Sequence, residues 1–435
     1  MDNKTILIVA VAVIAVAIVA VAAIFLLGGN KDPSLPTDID KGTGTVYGNA
    51  DGNCYIDEED VKVIEAIITR NTDSKTDNDV DWKNDFPFAD ANCDGNVDQN
   101  DVNMVNDIIA KKSVRINVLS TNDGIVSVNY PIKNFIVLSG SNLAPLMNIL
   151  DVSDMVIAAA YSTLDPIRDY SIQKGIDDKK ITKLSTAGTA ADMDLISKLD
   201  TTLMITEYSS MYALDSDENV ENLKKAYGID TLRMECRDIG QDTRSMVVFG
   251  ILLGKEKEAQ SYIDFCNDVY DNIKKVEGDK FGSEKVMITS LATTFCGQTS
   301  GYTPMIEMAG GVNLADWSES SKRYNTGDTW IYETKYNSDT FFIGNASNYG
   351  GKGFTDAQLT AAKDNYDKTD VWKNGDVWMY STGIPVVCRI AYYAEYMYPE
   401  LFEAGWAKGI HQKFVDDYFD TAFTVPDDQF CKKVN

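Results

Sequence analysis

Histidine is nearly absent from this chain of 435 residues, in which His411 is the only one. A metal site built on two or three imidazoles is therefore excluded, and so are several copies of a histidine-based catalytic triad. His411 lies among aromatic residues of a helical tail, where we expect it to be packed rather than to bind a metal or haem. The seven cysteines include no CxxC pair, which argues against a zinc ribbon, and most are expected to be buried small apolar residues.

Clusters of lysine and arginine are also missing. The chain has 40 basic and 66 acidic residues and a net charge of −26, so binding to nucleic acid is not expected. The acidic surplus is typical of a protein that faces an external solvent, although solubility alone explains it equally well. The sequence also lacks nucleophile motifs such as GxSxG, a phosphate-binding loop and a readable pair of catalytic carboxylates, and we expect no enzymatic activity.

A long apolar run is present at the amino terminus. Ile6–Leu27 contains 22 consecutive apolar residues, and about 20 suffice to cross a bilayer as a helix. Because a cleaved signal peptide has a shorter apolar core of about 7–15 residues, we interpret residues 1–30 as an uncleaved N-terminal transmembrane helix. A linker rich in Pro, Gly, Thr and Asp follows at 31–45. The positive-inside rule favours an extracellular bulk, held at the cell surface by an anchor in the cytoplasmic membrane.

A repeat rich in Asp and Asn follows the linker, at 49–60 and 90–101, and each copy opens a helix with one apolar face. Calcium takes six to eight oxygen ligands, which a 12-residue loop supplies from positions 1, 3, 5, 7, 9 and 12, with a main-chain carbonyl at position 7. Cys54 stands at position 6 of the first loop and Gly95 at that of the second, so we expect the first loop to bind more weakly. Ordinary Asx turns are the alternative for either loop alone. The predicted calcium ligands are Asn49, Asp51, Asn53, Tyr55, Asp57, Asp60, Asp90, Asn92, Asp94, Asn96, Asp98 and Asp101.

At these residues the chain resembles the dockerin domain, a pair of calcium loop–helix units with Asp at position 12 of each loop. The resemblance covers residues 46–112 and implies a small all-α module in which calcium is a structural ion. Known dockerins bind cohesin modules through their helices, so the resemblance also implies a cohesin-bearing partner. The alternative is a purely structural stalk.

From residue 113 onward, short apolar strands alternate with helices, which indicates parallel sheets. NFIVL at 134–138 and TFFIG at 340–344 are two such strands, and the pattern from Thr243 to about Val276 predicts one long helix. The predicted fold class is therefore α/β, with two Rossmann-like lobes joined by a single long helix. The boundaries are 113–242 for the N-terminal lobe, 243–278 for the connecting helix and 279–435 for the C-terminal lobe.

Three segments occur in a characteristic order: PIKNFIVL at 131–138, MIEMAGGVNL at 305–314 and YPELF at 398–402. At these residues the chain resembles the substrate-binding proteins of ABC importers for iron complexes and cobalamin. The resemblance implies capture of a metal chelate (an iron complex, haem or a cobalamin-like ligand) and its delivery to an ABC permease and ATPase. In that family an acidic residue on each lobe pairs with the permease. Asp194 and Glu333 match those places, and an ordinary surface carboxylate is the alternative for each.

We expect the ligand in the cleft between the lobes, at the carboxyl ends of the strands. Aromatic side chains offer flat faces to a macrocycle or chelate, and an arginine can pair with a carboxylate on it. Core packing is the alternative for any single aromatic residue. For the whole chain, the second interpretation is a surface adhesion or assembly protein that reuses the binding fold without a transport role. The predicted ligand contacts are Ser139, Ser141, Asn142, Tyr161, Tyr208, Tyr302, Trp330, Tyr380 and Arg389.

Overall fold

The computed structural model describes residues 35, 45–72, 80–121, 123–139, 143–161, 165–185, 187–207, 213–276, 281–315, 322–323, 329–333 and 337–435. The predicted anchor at 1–30 and most of the linker lie outside these residues. Across the part of the chain that the structure describes, no helix is both long enough and apolar enough to cross a membrane.

The repeat forms a small helical module in which each Asx-rich loop leads into a helix. The apolar faces of the two main helices pack on each other, with Ile64, Ile67 and Val105 fully buried between them. The second of these helices begins with a capping box, in which Asp98 and Asp101 satisfy each other's backbone N–H groups. The helices are α1 (Glu58–Thr72), α2 (Trp82–Asp85) and α3 (Gln99–Ile109), with a 3-10 turn at Pro87–Ala89.

A three-stranded antiparallel sheet joins this module to the rest of the molecule. Its strands are β1 (Thr45–Val46), β2 (Val114–Ser120) and β3 (Gly124–Tyr130), in that order across the sheet. Val46 and Ile108 share one hydrophobic core with the inward face of β2. The N–H of Tyr47 donates to the carbonyl of Asn117 at 2.9 Å, and the Asn117 side chain donates to the Ala91 carbonyl at 3.1 Å. The module is thus built into the molecule's main core rather than separated from it.

The N-terminal lobe has a five-stranded, wholly parallel sheet in the order β6-β5-β4-β7-β8. The strand order reverses between β4 and β7, which creates a topological switch point at their carboxyl ends. The central strands are buried on both faces, which explains their continuous apolar sequences. The strands are β4 (Phe135–Ser139), β5 (Val156–Tyr161), β6 (Thr182–Lys183), β7 (Leu203–Glu207) and β8 (Asp230–Met234). The helices are α4 (Leu143–Ile149), α5 (Tyr170–Asp177), α6 (Ala190–Ile196) and α7 (Asp217–Tyr227), with a 3-10 turn at Ala213–Asp215.

The connection between the lobes differs from the single long helix predicted at 243–278. It consists of two helices that pack on each other, α8 (Gln241–Leu253) and α9 (Glu256–Lys274). Gly254 ends α8 in the left-handed region, with φ +67°, and its N–H donates to the carbonyl of Gly250. This is a common way for a helix to stop, because glycine has no Cβ to clash in that conformation. The prediction of one helix was therefore wrong at Gly254.

The C-terminal lobe has a seven-stranded mixed sheet. Its centre, β9-β13-β14, is parallel as predicted, whereas β10, β12 and β15 at the edges are antiparallel. The strands are β9 (Glu284–Ser290), β10 (Thr294–Phe295), β11 (Gly311–Asn313), β12 (Lys322–Arg323), β13 (Thr340–Asn345), β14 (Asp376–Ser381) and β15 (Cys431–Lys433). The helices are α10 (Tyr302–Met308), α11 (Asp356–Tyr366), α12 (Asp370–Asn374), α13 (Val386–Met397) and α14 (Trp406–Tyr418), with a 3-10 turn at Trp330–Tyr332.

Candidate ligand-binding cleft

The two lobes meet through the segments that follow the carboxyl ends of their strands. The N–H of Tyr349, which follows β13, donates to the Asp165 carboxylate of the N-terminal lobe at 2.6 Å. Asp238, which follows β8, lies so close to Gly301 that a Cβ added there would be 1.7 Å from its Oδ1. Parallel α/β sheets bind ligands at this end. The contacts therefore place both candidate ligand-binding edges at the boundary between the lobes.

On the N-terminal side, the predicted contacts lie at the switch point. Ser139 and Tyr161 are the last residues of β4 and β5 and are paired in register. Glu207 ends β7, two strands from Tyr161. Ser141, Asn142 and Tyr208 lie outside the described residues. The backbone thus brings Ser139 and Tyr161 side by side at one end of the sheet.

Glu207 is a buried carboxylate at this switch point. Its Oε2 accepts the N–H of Leu143 at 3.3 Å, and its Oε1 lies 3.7 Å from Nε of Arg237. Leu143 begins α4, so its N–H is one of the donors that a helix leaves free at its start. An anionic ligand would compete with Glu207 for this donor. The N-terminal wall of the cleft therefore disfavours an anionic group next to α4.

The C-terminal side carries a buried arginine. Arg389 on α13 is 3% exposed, and its Nε and Nη2 make no hydrogen bond with any residue that the structure describes. Its Cζ lies 5.8 Å from the centre of the Tyr302 ring, and that ring is 6.3 Å from the Tyr380 ring. A buried donor without a partner costs about 1–3 kcal/mol, and more if charged. The site is therefore complete only when something, such as a ligand oxygen, reaches the guanidinium.

Tyrosines surround this guanidinium. Tyr380 and Tyr393 are buried with their rings 5.2 Å apart, and burial raises the pKa of both hydroxyls well above the usual value. Both stay neutral hydrogen-bonding groups as a result. Three of the predicted contacts are thus brought together around one point, namely Tyr302, Tyr380 and Arg389.

Trp330 is placed differently from these three residues. Its ring packs edge-on against Phe295, 5.2 Å between centres, in a cluster with Phe341 and Tyr366. This cluster is a separate core within the C-terminal lobe. The structure does not bring Trp330 to the arginine, and core packing accounts for its position.

The joint between the lobes contains a carboxyl group that the sequence did not single out. Asp242 near the start of α8 is buried, and its Oδ2 accepts the hydroxyl of Tyr262 at 2.8 Å. Its Oδ1 has no partner within the described chain, and burial raises its pKa to about 6. A cavity of about 20 Å³, room for about one water molecule, adjoins it. The cavity lies between residues of both lobes, Pro145, Leu146, Cys236, Pro385, Val386 and Phe414.

His411 is packed, as its surroundings in the sequence predict. It is fully buried, and its two ring nitrogens lie 2.8 Å from the Tyr349 hydroxyl and 3.3 Å from the Tyr392 hydroxyl. Burial lowers its pKa to about 3, so the ring is neutral. Both nitrogens are engaged with tyrosines, which leaves this imidazole no position for a metal.

The two predicted permease-docking residues are both exposed and lie on different lobes. Asp194 on α6 pairs with Lys198 at 2.6 Å, an exposed ion pair worth no more than about 1 kcal/mol. Glu333 follows the 3-10 turn at Trp330–Tyr332. Both carboxylates are therefore accessible to a partner.

In the second Asx-rich loop, backbone N–H groups donate to the acidic side chains. Asp90 accepts the N–H groups of Asp94 and Gly95, while the buried Asp101 accepts those of Asn92 and Asp98. Burial raises the pKa of both Asp90 and Asp101, and the neighbouring carboxylates, Asp94 for the first and Asp90 and Asp98 for the second, raise it further. Gly95, at position 6, has φ +91°, as the predicted sharp turn requires. The donor set is all oxygen, which fits calcium.

The first loop shares the position-12 contacts and differs at its turn. Asp60 is buried like Asp101 and accepts the N–H groups of Asp51 and Asp57, and burial raises its pKa to about 7. Its position 4, Gly52, is left-handed like Cys93 of the second loop, whereas its position 6, Cys54, is not; Asn49 accepts the N–H of Gly52. The side-chain amide of Asn49 donates to the main-chain carbonyl of Asn53, so this loop oxygen is already engaged in a hydrogen bond. The weaker binding expected of the first loop stays a prediction.

No group of three or more His, Cys, Asp or Glu side chains in the described ranges is arranged to hold a metal. Calcium in either loop would therefore depend on asparagine oxygens and main-chain carbonyls as well as carboxylates. The calcium ligands remain a prediction.

The fold is that of periplasmic binding proteins with two α/β lobes. The TroA-like periplasmic binding protein FepB from Veillonella parvula superposes with a TM-score of 0.53 at 15% identity, covering 73% of this chain and 99% of that one. CeuE of Helicobacter pylori with Ni(II) bound superposes with a TM-score of 0.50 at 17% identity, covering 70% of this chain and 96% of that one. The periplasmic binding protein MolA of Haemophilus influenzae, bound to molybdate, superposes with a TM-score of 0.50 at 11% identity, covering 71% of this chain and 98% of that one.

No protein-family model and no curated protein matches the sequence. At such low identities the likeness to solved structures establishes the fold alone. Nothing about the ligand follows from it.

Proposed function

We propose that this chain is a solute-binding protein that captures a ligand between its lobes and delivers it to an ABC permease and ATPase. The observation that carries the proposal is Arg389, a buried guanidinium with two unpartnered nitrogens at the boundary of a two-lobed binding fold. A buried charge of this kind is costly unless a partner arrives. Asp194 and Glu333 are the proposed permease contacts, one on each lobe.

The ligand that suits this site carries an anionic group. Arg389 would pair with that group, and the ring of Tyr302 would cover an apolar part of the ligand. A bare transition-metal ion is disfavoured because His411 is buried and bonded on both nitrogens. A metal chelate with peripheral carboxylates or similar oxygens fits better, which includes iron complexes, haem and cobalamin-like compounds.

Binding of a ferric siderophore, haemin and cobalamin to the full chain, measured by tryptophan fluorescence and calorimetry, tests the proposal. We expect one of the three to bind, and Arg389→Gln to weaken it by roughly 10- to 100-fold, since a hydrogen-bonded charge contributes about 1.5–3 kcal/mol. Lys373→Gln, at an exposed position on α12, is the matched control and should bind like the wild type. Absence of binding by all three ligands would count against the receptor function, and equal binding by Arg389→Gln would remove Arg389 from the site.

We further propose that the two loops bind calcium as a structural ion. Asp60 and Asp101 are buried carboxylates, each in a loop whose predicted calcium ligands are all oxygen atoms, and this supports the assignment. The helical module shares a core with β2, so a stiff spacer fits its position better than a free docking handle. A cohesin-bearing partner, and with it the assembly function, would gain support from binding of a cohesin to the full chain.

Attachment to the cytoplasmic membrane through Ile6–Leu27 completes the proposal, with the lobes outside the cell. Its support is the length of the apolar run alone. Extraction of the protein with detergent but not with salt or alkali would be the expected behaviour.

A further inference from the structure

The segment Asp165–Ser171 of the N-terminal lobe is unusually rich in buried charge. It follows β5 and runs into α5. Asp165, Arg168 and Asp169 are 1%, 3% and 0% exposed. Charged residues are almost never so fully buried unless they are paired. The partners of these three side chains therefore reveal what the segment does.

Within the segment the charges satisfy one another. Nε and Nη2 of Arg168 donate to the two carboxylate oxygens of Asp169, at 2.9 and 2.7 Å. Oδ1 of Asp165 accepts the N–H groups of Ile167 and Arg168, at 2.9 and 3.1 Å. Oδ2 of Asp169 also accepts the N–H of Asp165, at 2.9 Å. The ion pair and its hydrogen bonds are thus internal to one short stretch of chain.

The same segment also reaches three separate parts of the C-terminal lobe. Oδ2 of Asp165 accepts the N–H of Tyr349 at 2.6 Å, and Nη1 of Arg168 donates to the Gly383 carbonyl at 3.3 Å. The Thr421 hydroxyl donates to the Ile167 carbonyl at 3.4 Å, and the Ser171 hydroxyl bonds to the Asp420 carboxylate. The segment therefore joins the lobes at a place remote in sequence from the connecting helices.

We infer that Asp165–Ser171 is a releasable latch, a second link between the lobes that must open before they can separate. The groups that Asp165 and Arg168 hold on the C-terminal lobe, the Tyr349 N–H and the Gly383 carbonyl, are main-chain groups that water can satisfy. Arg168 and Asp169 remain paired when the segment withdraws, so neither lobe is left with an unpaired buried charge. The connecting helices α8 and α9 are covalent and permanent, whereas this link can break and re-form.

The N–H of Tyr349 offers a direct measurement, because hydrogen exchange of that amide requires its bond to Asp165 to open. In the full chain we expect Asp165→Ala to accelerate exchange at Tyr349 by roughly 10- to 100-fold, the loss of a bond to a charged acceptor. Exchange at Phe342 and Ile343 in β13 should stay unchanged. Asp178→Ala, which removes an exposed carboxylate just after α5, is the matched control and should leave Tyr349 protected.

Two results would overturn the latch. One is unchanged exchange at Tyr349 in Asp165→Ala. The other is an equal acceleration at Tyr349 and throughout β13, which would make the segment an ordinary part of the fold whose loss destabilises everything. If Asp165→Ala does not fold, the isosteric Asp165→Asn keeps one acceptor oxygen and removes the charge. The same selective acceleration at Tyr349 is then expected at smaller amplitude, and its absence would count against the latch.

Discussion

Asp242 is a carboxyl group in the joint between the lobes that is difficult to ionise. Its Oδ2 accepts a hydrogen bond from the Tyr262 hydroxyl, and burial raises its pKa to about 6. Its folded-state pKa is therefore above its unfolded-state value, so the folded protein binds more protons than the unfolded protein between these two values. Stability is consequently highest below the unfolded pKa and falls as the pH rises through about 6.

Asp242→Asn should remove this dependence, because the amide is neutral at every pH and can still accept from Tyr262. The difference between a pKa of about 6 and the usual 3.8 corresponds to about 3 kcal/mol. We expect the variant to exceed the wild type by up to about 3 kcal/mol near pH 8 and to match it near pH 4, as measured by urea unfolding. Thr202→Ser, on the surface, serves as control. An equal gain at both pH values would show that the charge of Asp242 is not the cause.

Arg389 shows what sequence can and cannot give at the scale of one residue. The expectation of a ligand cleft at the carboxyl ends of the strands named it together with Tyr302 and Tyr380, and the structure brings these three together. Two of its nitrogens lack partners because the neighbouring elements that the structure describes place no hydrogen-bond acceptor within reach. The sequence does not show which elements will be neighbours. Asp165 and Arg168 went unnoticed for the same reason, since a DPIRD sequence looks like an exposed turn until another lobe covers it.

Among the elements, the central strands were the easiest to predict. Strands such as Phe135–Ser139 and Thr340–Asn345 are covered on both faces, so their apolar sequences leave little ambiguity. The connecting helix was harder, because an apolar pattern continues on both sides of Gly254 while the chain reverses there. Gly254 followed by Lys255 and Glu256 was a usable signal for a helix end. The short edge strands β10, β12 and β15 have too few residues to show any periodicity.

The paired loops yield a prediction at this scale. Calcium should raise the melting temperature of the full chain, since a ligand that binds only the folded state stabilises it. We expect Asp101→Asn to remove more of this calcium-dependent rise than Asp60→Asn, because the second loop has the better turn and more carboxylates. Differential scanning calorimetry with calcium and with chelator separates the ion's effect from any loss of helix capping at Asp101. No rise at millimolar calcium in the wild type would eliminate the calcium assignment.

At the scale of the whole molecule, the helical module and the lobes form one structure. Val46 and Ile108 lie in the same core as Ile116 and Val118 of β2. Their sequences gave no hint of this, because the repeat resembles a self-contained domain. A boundary placed at residue 112 or 113 cuts through that shared core.

Removal of residues 1–112 should therefore destabilise the two-lobed part. Burial of an aliphatic side chain contributes about 1.5–3 kcal/mol, so the loss of Val46 and Ile108 alone would cost about 3–6 kcal/mol. We expect a clearly lower urea midpoint for 113–435 than for 45–435, two chains that differ only in the module. Equal midpoints would show that the module is an independent domain after all.

The pairing of β1 with β2 determines where the segment from the proposed membrane anchor joins the folded part of the protein. Thr45 pairs with Leu119, next to Ser120, whose hydroxyl donates to the carbonyl of Arg233 at the carboxyl end of β8. Residue 45 thus lies beside the candidate ligand-binding edge of the N-terminal sheet. Even fully extended, the stretch 31–45 reaches only roughly 50 Å. If Ile6–Leu27 anchors the chain as proposed, this stretch would hold that edge of the sheet within roughly 50 Å of the membrane surface.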